Sequence, residues 1–224
     1  MGFNWTVIGA TLPIDLASQI TGVLPVANGG TALAAVGTAL QGLRTNAAAN
    51  GLEFAPQQLE LLDNHEAASA ESTYTFTPGT ALSVDDYSMI MVVIGMENTA
   101  AFALQAVINA IAGSNNSSDG FRSDGSTLTD ITLAATTQLQ IASTSIFGGG
   151  TNQGFGVIEI YLDDSLSNDI NVLSRIGNTG NGRMEYMNGW IVANATTITS
   201  ITLQTSTSTW RAGGKITTYG LRRA

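Results

Sequence analysis

Cysteine is absent from this 224-residue chain, which excludes disulfides, thiolate metal sites and cysteine nucleophiles together. Histidine occurs once, at His65, so a metal site built on two imidazoles is excluded and a histidine triad has a single position to draw on. Charged residues make up only 11% of the chain, under half the roughly 25% of ordinary soluble domains. Two explanations stay open: sister chains or neighbouring proteins cover much of the surface, or Ser, Thr and Asn supply its polarity. The few charges are lopsided, with a formal net charge of -9 and a pI near 4.3, a field that repels a phosphate backbone. Nucleic acid is therefore not an expected partner. Long apolar runs are also missing. The longest apolar zone, Met89 to Ala112, is interrupted by Glu97, Asn98, Gln105 and Asn109, so membrane insertion is not expected. The first residues, Met1-Gly-Phe-Asn-Trp-Thr-Val-Ile, lack a basic stretch followed by an apolar core, and no signal peptide is expected there.

What the chain does have is alternation. From Ser72 onward it reads as short strands divided by Gly, Asn, Asp and Ser turns. Thr73 to Thr77 alternates and stops at Pro78-Gly79, while Tyr87 to Ile94 is an apolar run of core-strand length. Phe102, Leu104, Ala106, Ile108 and Ala110 keep a period of two. The clearest case is Gly156 to Leu162, where Ile158, Ile160 and Leu162 share one face and Val157, Glu159 and Tyr161 the other. Further strands are expected over 128–133, 138–143, 169–176, 184–192, 198–203 and 215–221, and one near Leu59 and Leu61. Gly113 to Gly125 reads as a polar loop. Roughly nine or ten short strands without a strong helix predict an antiparallel β-sandwich over 57–224, jelly-roll-like in its winding.

The N-terminal part is different. Ile20-Thr-Gly-Val-Leu-Pro-Val-Ala-Asn-Gly-Gly-Thr31 is an apolar run containing Pro25 and broken at Asn28-Gly29-Gly30. Proline fixes φ and Asn-Gly accepts positive φ, so an extended segment ends there in a turn. Leu33, Val36, Leu40 and Leu43 then recur every three or four residues with Thr31 as N-cap, which predicts a short helical face. Gly37 and Gly42 weaken it, and about a dozen residues make a marginal helix unless its apolar stripe is sheltered. Three copies packed about an axis, or the main domain, would do so equally well. Residues 1–16, with Trp5, Val7, Ile8, Leu12 and Ile14 as apolar points, bury too little to fold alone and are expected to dock on another protein or stay loosely ordered.

The wording of residues 20–31, followed by Leu43-Arg-Thr-Asn-Ala-Ala48 and Gly51-Leu-Glu-Phe54, resembles a segment recurring in tail-fibre and other virion-appendage proteins of tailed bacteriophages. The family usually has Gly after Gly-Gly-Thr, where this chain has Ala32. A second resemblance lies at the other end. Trp190, Ile198-Thr-Ser-Ile201, Trp210-Arg-Ala-Gly-Gly-Lys-Ile216 and Tyr219-Gly220-Leu221 are similar to the last strands of β-sandwich domains that end many phage virion proteins. The resemblance implies a virion structural protein and a homotrimer. On that implication 1–56 is an attachment and trimerisation segment carried by Leu24, Pro25, Val26, Asn28, Gly29, Gly30, Leu33, Val36, Leu40 and Leu43. Its partners would be its own copies, other virion proteins and a host-surface glycan or protein.

Catalytic and ligand-binding signals are weak beside this. His65 sits in Asp63-Asn64-His65-Glu66 and reads as a solvated loop residue. Asp85-Asp86 and Asp163-Asp164 are adjacent pairs, and neighbours in a strand point to opposite faces, so neither doublet is a natural acid/base pair. Asn115, Asn116, Asp119 and Asp124 offer oxygen ligands for Ca²⁺ without EF-hand spacing. The glycines from Gly148 to Gly154 lack the Lys-Ser/Thr of a phosphate loop. No catalytic residue, metal site or cofactor is expected. Arg211, Lys215, Arg222 and Arg223 give an acidic chain a basic end, expected to be solvated or to meet an acidic neighbour or anionic glycan. The expected function is a non-enzymatic tail fibre or spike-type appendage that displays a β-sandwich to the host surface. The rivals are a capsid head fibre or decoration protein, a carbohydrate-active enzyme on the same scaffold, and a free-standing binding module.

Overall fold

The computed structural model describes residues 41–45, 48, 52–56, 58–111, 116–124, 127–136, 138–147, 153–162, 170–180, 182–191 and 196–223. The chain divides into two units, 1–57 and 58–224. Within the first, strands β1 (Gln41–Thr45) and β2 (Leu52–Pro56) form an antiparallel ribbon with Leu43 opposite Phe54. Leu43 therefore extends in a strand and is not the last turn of a helix. Pairing of 41–45 with 52–56 supplies backbone hydrogen bonds that the glycine-weakened helix would have had to make alone. The other members of the expected helical face, Leu33, Val36 and Leu40, lie outside the described residues, as do Leu24, Pro25, Val26, Asn28, Gly29 and Gly30.

The second unit is all β among its described residues. In chain order it holds β3 (Leu59–Glu66), β4 (Thr73–Phe76), β5 (Leu82–Ser83), β6 (Tyr87–Glu97), β7 (Phe102–Ile108), β8 (Asn116–Ser123), β9 (Leu128–Thr136) and β10 (Leu139–Phe147). Then come β11 (Gln153–Leu162), β12 (Ile170–Asn178), β13 (Met184–Ile191), β14 (Thr197–Ile198), β15 (Ile201–Thr205) and β16 (Lys215–Arg222). An eight-stranded sheet runs β3-β16-β6-β11-β12-β13-β8-β9, a four-stranded sheet runs β10-β7-β15-β4, and β5 with β14 makes a small ribbon. Every strand pair is antiparallel.

The winding is that of a jelly roll. The four strands β3, β16, β6 and β11 oppose β4, β15, β7 and β10, and the chain visits the two sheets in the alternation such a roll requires. Two hairpins are added to it. β8–β9 enters between β7 and β10, β12–β13 between β11 and β15, and both extend the larger sheet. One continuous core fills the space between the sheets, with Ile90, Ile94, Ile158, Ile160, Leu104, Ile108, Leu203 and Trp210 all fully buried. The alternation read in β11 holds, since Ile158, Ile160 and Leu162 are buried and Tyr161 is exposed. In β7, Phe102, Leu104, Ala106 and Ile108 point inward as expected, but Ala110 does not. Asn109 and Ala110 turn the chain with φ of 54° each, and the Asn109 side chain fixes the reversal by donating to Thr197 O (2.7 Å) and accepting from Thr199 N (2.7 Å).

Unequal sheets create a problem at β10. This strand is the edge of the smaller sheet, yet it packs over β8, β11, β12 and β13 of the larger one, so its unpaired side is in the interior. Its pairing with β7 is also irregular, with register shifts between Gln140 and Ala142 and between Ala142 and Phe147. Polar side chains from the inner face of the larger sheet meet the exposed backbone. Ser118 accepts from Gln140 N (3.1 Å), Ser174 donates to Ile141 O (2.7 Å), and Asn178 donates to Ile146 O. Arg183 donates to Ser145 O (3.3 Å) and Asn98 to Phe147 O (3.2 Å). Glu185, fully buried, accepts from Ser143 N (2.6 Å) and from the Ser143 hydroxyl, with Arg122 3.9 Å away. Strand β8, expected as a polar loop, belongs to this seam. It is held between β13 and β9, and its inward Ser118 and Arg122 serve β10.

The C-terminal reversal follows its sequence closely. Gly213 turns at φ 84°, its N–H bonds Ala67 O (2.7 Å), and Ala67 N bonds Gly214 O (2.9 Å). At Gly220 the Tyr87 ring lies against the backbone, 2.5 Å from where a Cβ would stand. The ring has little freedom to retreat, since its hydroxyl bonds Glu60 (2.8 Å) and the Arg222 guanidinium sits 5.0 Å from its centre.

Two stability measurements test these features. Glu185→Ala strands buried donors of β10 and is expected to cost about 3 kcal/mol in urea unfolding, more than a polar-to-Ala change on the surface. A change under half that would mean the carboxylate does not hold the seam. Gly220→Ala drives a methyl into the Tyr87 ring and is expected to cost ~1–3 kcal/mol, relieved in the Tyr87→Ala background.

Candidate functional site

Strand β3 brings several titratable groups together at one edge of the larger sheet. The Tyr74 hydroxyl donates to Asp63, and His65 stacks on the Tyr74 ring with centroids 4.6 Å apart. The His65 Nε2 lies 2.8 Å from Glu71 Oε2. His65 is therefore half-buried within a strand and partnered on two sides, not a solvated loop residue; pairing of β3 with β16 fixes it there. One step along, Glu60 accepts from the Tyr87 hydroxyl (2.8 Å) and from Arg222 Nε (2.7 Å). A groove of about 490 Å³ beside these groups is lined by Asp63, Thr75, Phe76, Pro78, Leu82 and Tyr87 among others.

The electrostatics of this corner are set by carboxylates facing phenols. Burial, reinforced by the hydrogen bond to Glu60, pushes the Tyr87 phenol up to about 12 from its usual value near 10. Burial and then the Asp63 hydrogen bond raise the Tyr74 phenol as well. The Arg222 guanidinium is held protonated by its hydrogen bond to Glu60. Both inward carboxylates thus act as acceptors for fixed phenols, an arrangement that ties β3 to β4 and β6.

The sequence-level candidates scatter. Asp85 and Asp86 sit in the turn before β6, not in a strand, and Asp163 and Asp164 lie outside the described residues. The basic end is not an open patch. Arg211 pairs with Glu97 (3.4 Å), Lys215 with Glu66 (3.3 Å) and Arg222 with Glu60. Among the described residues no group of three or more His, Asp or Glu stands where it could hold a metal ion. Glu60, Glu71, Tyr74 and Glu185 were not singled out in the sequence. Their partners lie between 6 and 162 positions away, and no local pattern marks them.

The largest unassigned feature is the outer face of the eight-stranded sheet. Side chains there include Leu59 and Leu61 on β3, Met91 and Val93 on β6, Phe155, Val157 and Tyr161 on β11, Leu173 on β12, and Met184 and Trp190 on β13. Ladder register places them in adjacent rows: Leu61 by Tyr219, Tyr219 by Met91, Val93 by Val157, and Phe155 between Gly95 and Gly177. Charges on the central strands are internally compensated, Arg175 with Glu159 and Lys215 with Glu66. The outer face of the four-stranded sheet is unlike it. Thr75, Thr202, Gln204 and Gln105 line up there, and the Thr75 and Thr202 hydroxyls bond at 3.0 Å.

Comparison with models of known families, with curated proteins and with solved structures finds no match.

The phenol–carboxylate corner gives a pH prediction. The Tyr87 phenol holds its proton about two decades longer folded than unfolded, so its contribution is complete below pH 10 and is lost as pH rises toward 12. Stability measured by urea unfolding is expected to fall between pH 10 and pH 12, less steeply in Tyr87→Phe. An equal slope in the variant would remove Tyr87 from the account.

Proposed function

We propose that this chain is a non-enzymatic structural protein of a bacteriophage virion: a homotrimeric tail fibre or spike-type appendage that displays its jelly-roll unit toward the host surface. The observation that carries the reading is the segment Ile20–Thr31 with its continuation to Phe54, placed ahead of a β-sandwich. Support comes from the sandwich itself, a unit tied together by side chain to backbone bonds between its sheets. Attachment to other virion proteins is assigned to the N-terminal unit, and the displayed surface to the second. A host glycan or protein is the partner class at the distal end.

Immunogold labelling of intact particles of the phage that encodes the chain tests this. Antibody against 58–224 is expected to decorate the tail or its tip. Label on the shell would move the protein to a head fibre or decoration role, and unlabelled particles containing no such chain by mass spectrometry would sink the reading.

A further inference from the structure

Where β12, β13, β8 and β9 lie side by side, the larger sheet carries a groove of about 470 Å³. Two rows of side chains bound it. Tyr186, Phe121 and Asp130 stand opposite one another across β13, β8 and β9, and Leu173, Asn188 and Asp119 do so across β12, β13 and β8. Residues two apart on a strand are about 6.5–7 Å apart, which sets the spacing of the rows. Gly120, between Asp119 and Phe121, lets β8 approach β13 closely, since a Cβ there would strike the Tyr186 carbonyl. The Phe121 and Tyr186 rings stack across the two strands with centroids 4.9 Å apart, and Phe121 stays 39% exposed. The described lining holds two carboxylates and no Lys, Arg or His. Neighbouring cations are turned elsewhere: Arg175, opposite Tyr186, pairs with Glu159, while Arg122 and Arg183 donate to Ser145 on the inner side. Asp119 faces Thr132 and Asp130 faces Phe121 in the ladder, so the two acids are diagonal neighbours roughly 7–8 Å apart.

We propose that this groove binds an organic cation, an alkylammonium or guanidinium group, against the Phe121–Tyr186 pair with Asp119 and Asp130 as its counter-charges. Charge complementarity selects the ligand. Aromatic rings attract cations, and two carboxylates at diagonal spacing repel each other until a positive charge stands between them. The Tyr186 hydroxyl and the Asn188 amide oxygen add acceptors for N–H donors. An anion is repelled from the same groove by a chain of net charge -9. A bare metal ion fits poorly, because hard cations take about six to eight oxygens and half of this wall is ring or Leu173. No group of three or more acids or histidines among the described residues supplies such a set. The assignment goes beyond the virion reading and does not rest on it. A free amine and a basic side chain of another protein present the same group.

Saturation-transfer NMR on the full chain tests this, with n-butylammonium and n-butylguanidinium as probes, n-butanol as the uncharged control and butyrate as the anionic one. Both cations are expected to bind with dissociation constants on the order of 1 mM, weakening roughly fivefold or more between about 20 and 500 mM NaCl. Butanol and butyrate should give no saturable signal. The double variant Asp119→Asn/Asp130→Asn keeps the shape of both side chains; its far-UV circular dichroism should be unchanged and its dissociation constants raised roughly tenfold or more. A capped Ala-Lys-Ala peptide separates the sources. Binding of the peptide as well as the free amine assigns the groove to a basic side chain, and binding of the free amine alone assigns it to a small ligand; either supports the cation. Wild-type affinity in the folded double variant, n-butanol binding as tightly as n-butylammonium, or no saturable binding of either cation would overturn the proposal.

Discussion

The architecture turns on the backbone of β10. A four-stranded sheet cannot cover an eight-stranded one without burying one of its own edges, and a buried edge carries N–H and C=O groups that have no ladder partner. Leaving even a few of them unsatisfied would cost about 1–3 kcal/mol each, a large part of the stability of a domain this size. The chain answers from the facing sheet: Ser118 meets Gln140, and Ser174, Asn178, Arg183 and Glu185 reach the residues from Ile141 to Ile146, where the pairing with β7 is irregular. The buried polar residues of the unit are therefore concentrated where β10 is open, and their identities are dictated by which group of β10 each must meet. Donors face Ile141 O, Ser145 O and Ile146 O, and the acceptor Glu185 faces Ser143 N and its hydroxyl.

That constraint explains what could be read from the sequence and what could not. Strands that face the hydrophobic part of the core, such as β6, β7 and β11, show their period plainly, because an inward position there is Ile, Leu, Val or Phe. Strand β8 faces the polar seam instead. Its sequence, Asn-Ser-Ser-Asp-Gly-Phe-Arg-Ser, is polar apart from Phe121 and looks like a loop, since its inward Ser118 and Arg122 meet β10. Ala110 prolongs an apparent period that ends two residues sooner, at Ile108, before a turn that only the backbone dihedrals distinguish. His65 looks like a loop residue for a third reason: it pairs through a strand whose partner is the last one of the chain, a contact of long range. The candidate surface was legible only in fragments. Leu59, Leu61, Phe155 and Trp190 are ordinary apolar letters until the register sets them side by side.

Low charge is met differently on the two outer faces of the sandwich. On the four-stranded sheet, polarity comes from hydroxyl and amide groups, with Thr75 and Thr202 bonded across strands and Gln105 beside Gln204, so charge is not needed to keep that face wetted. On the eight-stranded sheet polar and apolar groups are mixed, with Thr217 donating to Asn64 (3.0 Å) on the face where Leu61, Phe155 and Trp190 are exposed. The cations there are held by their own carboxylates and apolar side chains fill the rows between. The added hairpin β12–β13 widens the larger sheet and carries Trp190 and Met184 onto its outer face. The jelly roll alone would close its core with four strands per sheet; the extra strands enlarge the outer face, and the β10 seam is the polar framework that holds them there.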